Sequence, residues 1–180
     1  MKSKRIKIVQ DKQITSLEIV PENDTTKTNL LLAWLVLWTI CGMIIFSQFF
    51  SNMSREEKLL MAVWMAFWAY FEYKIGSTYL WRKNGSEKII ISSDTLDYSI
   101  TVSGKTTEKK FPINAISNLE IYPFGKNNFS ESLQSSYWVR GNESVFFTFE
   151  GAKIGVGLQL NREEAGQLLH TIQKKIKQHH

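Results

Sequence analysis

Cysteine is almost absent from this chain. The one thiol, Cys41, lies inside a long apolar run, so neither a disulfide nor a cysteine metal site can form within a single copy. Histidine is nearly as scarce: His170 falls off the centre of a helical apolar stripe, where a solvated side chain is expected, and His179 and His180 lie in the tail. No glycine-rich phosphate loop, nucleophile elbow or paired-histidine zinc motif occurs. Sets of groups that transfer protons, attack substrates or hold metals are therefore not recognisable, and the expectation is a non-enzymatic protein with no catalytic residues, no metal and no cofactor. A concentrated basic patch is missing too. The formal charge of +5 is spread as +2 over residues 1–28, 0 over 29–80 and +3 over 81–180, and the cations are not interleaved with aromatics. That pattern argues against nucleic acid as a partner and fits nearness to anionic lipid.

Charge is also missing from residues 29–50, a run of 22 positions. As a helix this run is about 33 Å long, enough for a hydrocarbon core of about 30 Å. A polar turn over residues 51–58 (SNMSREEK) leads to a second uncharged run over 59–71. Its thirteen residues cover only about 20 Å, so the helix must continue past Glu72 and Lys74 to about residue 80, with Lys74 snorkelling to the headgroups. A run this short also suits a buried core helix, but its pairing with a longer span favours the membrane. The positive charges flanking the spans, with Lys2, Lys4, Arg5, Lys7, Lys12 and Lys27 before and Arg82, Lys83 and Lys88 after, place both termini on the cytoplasmic side. Trp34 and Trp81 fit an inner interfacial belt, Trp64 approaches the outer one, and Trp38 and Trp68 suit a contact between helices. A removable signal peptide is not expected, because 28 mostly polar residues precede a run too long for an h-region.

Outside the hairpin the pattern has period two. Residues 6–9 and 14–20 are short β-like pieces that either join the later domain or stay loose. Thr25, Thr26, Thr28 and Asn29 are candidate N-caps for the first span. After the hairpin, strands are predicted over residues 88–91, 95–102, 105–111, 113–122, 137–140, 144–150 and 153–160, with Ser103 and Gly104 as a hairpin turn and residues 123–136 as the longest loop. Asp94 and Asp97 read as turn and strand residues, and Gly155 and Gly157 as points where another element packs closely. A last helix starts at Asn161, with Glu164 completing a capping box and Ala165, Leu168, Leu169, Ile172 and Ile176 as its apolar stripe. The expected fold class is an α+β membrane protein: a two-helix transmembrane hairpin, then a seven-stranded antiparallel β-sandwich or barrel capped by a C-terminal α-helix. The expected division is a cytoplasmic segment over residues 1–28, the hairpin over 29–80 and a cytoplasmic domain over 81–178.

In this order of elements, and in the segments KIIISSDTLDYSITVSGKTTEKKFPINAISNLEI (88–121) and GVGLQLNREEAGQLLHTIQKKI (155–176), the chain resembles the bacterial pleckstrin-homology-like (bPH) membrane proteins. The resemblance implies a PH-like domain anchored at the cytoplasmic membrane, acting as a scaffold or accessory for an unknown membrane or cytoplasmic protein. Lys74, Arg82 and Lys83, with Lys105, Lys109 and Lys110 on the first hairpin of the domain, are the residues expected to meet anionic headgroups. The alternative is a protein that handles a lipid or small ligand, as a binder or as an enzyme, with a site between hairpin and barrel near Glu72. There Glu72 is the ionisable group in the membrane and Lys27 its candidate partner.

Overall fold

The computed structural model describes residues 5–11, 14–22, 24–51, 53–123 and 140–179. Two short strands open the chain, β1 (Ile6–Gln10) and β2 (Thr15–Ile19), followed by two long helices, α1 (Thr25–Ser47) and α2 (Arg55–Asn84). Then come β3 (Ser86–Ile91), β4 (Thr95–Val102), β5 (Lys105–Pro112), β6 (Ile116–Ile121), β7 (Glu143–Phe149), β8 (Ala152–Leu158) and α3 (Arg162–His179). The strands form two antiparallel sheets, β1-β2-β3-β4-β5 and β6-β7-β8. The architecture is thus α+β, with a C-terminal helix. The early β-like pieces are not loose: β2 pairs with β3, with Ile19 opposite Glu87. Six described strands follow the helices and two precede them. Of the strand expected over 137–140, residues 137–139 lie outside the described residues, as does nearly all of the loop at 123–136, and Arg140 is not in a strand.

The period-two pattern builds the core directly. Leu17 and Ile19 of β2, Ile89 and Ile91 of β3, Leu96 and Tyr98 of β4, and Val145 and Phe147 of β7 point inward from alternate positions, and α3 adds Ala165, Leu168, Ile172 and Ile176. Helix α3 begins as its sequence requires: the Asn161 side chain accepts from the Glu164 N–H at 2.8 Å, and Glu164 accepts from the Asn161 N–H at 3.0 Å. Glu164 also meets Arg5 at 3.3 Å, and Arg5 donates to the Gln159 carbonyl at 2.8 Å, which ties the N-terminal strands to the last helix. Gly157 has the left-handed φ of 79°, and a Cβ there would run into Leu168 of α3, so this glycine does mark a close approach.

The two helices are inserted between neighbouring strands. β2 leads to α1 after five residues, and α2 leads to β3 through Gly85 alone, so both helices leave from one end of the five-stranded sheet. Asp24, not one of the expected threonines, caps α1 by accepting from the Lys27 N–H at 3.0 Å. Helix α2 starts earlier than the apolar run, because Ser54 and Glu57 form a capping box inside the segment expected to be a turn. The helices pack antiparallel. Trp68 Nε1 donates to the Trp38 carbonyl at 3.0 Å, and a Cβ at Gly42 would overlap the Trp68 indole, so glycine lets the helices come together.

Away from this seam the helices are apolar and uncovered: Leu37 is 65% exposed and Phe67 63%, and the same holds for many residues along both. The segment Thr25–Phe50 is long and apolar enough to cross a membrane. Among the described residues it is the one helix that meets this criterion. Helix α2 is longer, but Glu72 and Lys74 interrupt its apolar stretch.

Candidate functional site at the helix end of the sheets

The end of the five-stranded sheet from which the helices leave also carries the β4–β5 turn. Ser86, Thr101 and Thr106 stand in register across β3, β4 and β5, and Val102 faces Lys105. Ser103 and Gly104 have φ of 50° and 79°, the doubly left-handed geometry that a two-residue hairpin requires. On β5, Lys105, Thr107, Lys109 and Phe111 stand opposite Val102, Ile100, Tyr98 and Leu96, so they share the inner face of the sheet. Phe111 and Leu96 are buried in the core, whereas the lysines are exposed. Moving toward the helices, the core therefore gives way to an open groove between the two sheets, with a cavity of about 680 Å³.

Four cations and one carboxylate line it: Lys105, Lys109, Arg140 and Lys153 against Glu143, a formal charge of +3. Its apolar part is Ile100, Val102, Ile154 and Leu80, the last on the final turns of α2. The Arg140 guanidinium lies 4.7 Å from the Trp81 ring centre, and its Nε is buried with no hydrogen-bond partner among the described residues. Lys153 lies over the Phe146 ring at 4.7 Å and pairs with Glu120.

Beneath the groove sits a residue that the sequence did not single out. Glu87 is fully buried and accepts the N–H groups of Gly157 at 2.7 Å and Leu158 at 2.8 Å, which staples β3 of one sheet to β8 of the other. Tyr98 also hydrogen-bonds this carboxyl. Burial raises the Glu87 carboxyl above its ordinary range, the two amides and the phenol offsetting only part of that, while nearby Glu143 adds to it. Burial, and then the Glu87 carboxyl, likewise push the Tyr98 phenol upward. A glutamate at the first positions of a strand, next to apolar Ile89 and Ile91 on the same face, was the available signal.

The residues expected to meet lipid are dispersed. Lys74 and Lys83 are exposed on α2, over the rings of Tyr70 and Tyr79. Arg82 is only 6% exposed, so it is packed within the protein instead of facing headgroups. Lys105 stands at the helix end and Lys109 in the groove. Lys110 is on the opposite face of β5, paired with Asp97 at 3.8 Å, which gives that aspartate a structural role.

Glu72 of α2 stands opposite the middle of α1. Thr39, at the middle of the apolar run of α1, meets Glu72 Oε1 at 2.7 Å and the Leu35 carbonyl at 2.8 Å. Glu72 is eight residues, about 12 Å, from Leu80 along α2, well away from the helix ends. Lys27 pairs with Asp24 at 3.1 Å, twelve residues or about 18 Å from Thr39, too far to be the partner of Glu72. Trp34, Trp38, Phe71 and Ile75 line a cleft of about 380 Å³ beside this level, and Glu72 Oε2 is buried with no hydrogen-bond partner among the described residues. Among the described residues no group of three or more His, Cys, Asp or Glu gathers as metal ligands, and His170 is exposed. Comparison with protein-family models and with curated proteins gives no match for this chain.

Proposed function

We propose that this chain is a non-enzymatic membrane-anchored module of the PH-like kind, crossing the cytoplasmic membrane twice through α1 and α2 with both termini inside. Its two-sheet domain docks on anionic headgroups and presents its outer surface to a protein partner. The observation that carries the reading is the insertion of both helices between paired strands β2 and β3. An ordinary tether leaves a domain free to tumble. Here both helices join the same end of the sheet through short connections, which supports that end facing the bilayer, and it bears Lys83, Lys105 and the cationic groove. The uncovered apolar surface of both helices supports the double crossing, since water would leave it unfavourably exposed. Two sheets closed by a C-terminal helix support the PH-like comparison.

The test is hydrogen exchange on the full chain in nanodiscs of neutral or anionic lipid. The reading expects amides of the β4–β5 turn to be protected by anionic lipid and released by salt, each cation near the surface contributing about 1 kcal/mol. Equal exchange in both lipids contradicts it.

A second reading rests on the Glu72–Thr39 contact, a carboxyl in an apolar setting beside an aromatic cleft, which suits a lipid or small ligand held between the helices. Glu72→Gln preserves the shape of the contact. Loss of function with intact folding favours this reading, and unchanged function the first.

A further inference from the structure

We infer that the groove between the sheets binds the phosphate-bearing end of one anionic phospholipid, with the adjoining part of the lipid against the apolar wall. This deepens the membrane-docking reading and rests on it. Three independent features converge. Lys105 and Lys109 face inward, and no described carboxylate pairs with either. Inward lysines also guard edge strands against pairing, but that use explains nothing across the groove, where Arg140, ahead of β7, and Lys153 of β8 complete the lining. Arg140 is held over the Trp81 ring, with a buried Nε that has no acceptor among the described residues, so its guanidinium is oriented before a ligand arrives. A planar fork of donors with two ammonium groups nearby matches the several oxygens of a phosphate better than a single carboxylate.

The wall identifies the rest of the ligand. Leu80, Ile100, Val102 and Ile154 offer apolar surface, and Leu80 is 41% exposed on the membrane helix itself. A free phosphate has no use for such a wall, whereas a lipid reaching in from the bilayer covers it. The cavity of about 680 Å³ is within the size range of small-ligand sites.

The experiment is native mass spectrometry of the full chain released from nanodiscs of phosphatidylcholine containing phosphatidylglycerol. The wild type is expected to retain one phosphatidylglycerol, and Arg140→Gln combined with Lys109→Gln to lower retention about tenfold. Lys110→Gln, on the other face of the same strand, is the control and retains the lipid. Near-UV circular dichroism verifies that each variant is folded. Undiminished retention by the double variant, or equal loss in the control, overturns the inference. Displacement by inorganic phosphate or glycerol phosphate as readily as by the lipid also overturns it, assigning the groove to free anions. If the groove variants are silent while anionic lipid still protects the β4–β5 turn, the groove fails and the docking reading stands. If that protection is absent as well, both fail.

Discussion

Removing the Glu87 carboxyl leaves three donors without an acceptor at the junction of the two sheets. In Glu87→Ala the amides of Gly157 and Leu158 and the Tyr98 hydroxyl all lose their partner. Each buried donor so stranded costs about 1–3 kcal/mol, and water entering the vacated space recovers part of it. The expected loss is about 3–5 kcal/mol, a large share of the roughly 5–15 kcal/mol that holds a typical domain together. In thermal unfolding of the detergent-solubilised chain this lowers Tm by about 10 °C. Glu87→Gln keeps one acceptor but turns an amide donor toward a backbone N–H, so it costs less, about 1–3 kcal/mol. The pH dependence has a definite sign. Burial raises this carboxyl in the folded state above its ordinary 4.5, so its contribution to stability is full below about that pH and declines as pH climbs through the raised value. The gap between wild type and Glu87→Gln therefore narrows with rising pH. An alanine variant within 1 kcal/mol of wild type, or a gap that widens with pH, refutes the staple.

Other expectations follow from single contacts. Gly42→Val pushes a side chain into Trp68 and separates α1 from α2, which should lower helix-pair stability by about 1–3 kcal/mol in detergent titration. Arg5→Ala breaks the contacts to Gln159 and Glu164, and should cost about 1.5–3 kcal/mol with faster hydrogen exchange in β1. Trp81→Leu removes the surface on which Arg140 rests and leaves a cavity where a fully buried indole stood, costing about 2–4 kcal/mol and loosening lipid retention in the groove while leaving α3 protected.

The parts of this fold written in local pattern were legible. The alternation in residues 95–102 and 153–158, the turn at Ser103 and Gly104, and the capping box at Asn161 all recur in the structure because each is decided by neighbours in sequence. What depended on distant pairing was not. Nothing local says that β2 pairs across two long helices with β3, since the register is set by Leu17 and Ile19 joining a core assembled far along the chain. The groove was half visible, as Lys105 and Lys109 were noted for their charge. Their inward direction and their meeting with Arg140 needed the second sheet. Glu87 was passed over because a lone acid early in a strand normally faces solvent. Glu72 stood out as a charge in an apolar helix, but its contact with Thr39 depends on the register of α1 against α2, which Gly42 and Trp68 set.

The central claim, that α1 and α2 both cross the bilayer and clamp one end of the sheets to its inner face, is tested most directly by the sidedness of two engineered thiols. In a Cys41→Ser background, Ser51→Cys marks the turn between the helices and Ser93→Cys the exposed β3–β4 turn. Each is reacted with a membrane-impermeant maleimide in sealed vesicles of known orientation. The account predicts that Ser51→Cys reacts only from the outer face and Ser93→Cys only from the cytoplasmic face. Reaction of both from the same face would contradict it, because α2 would then not cross.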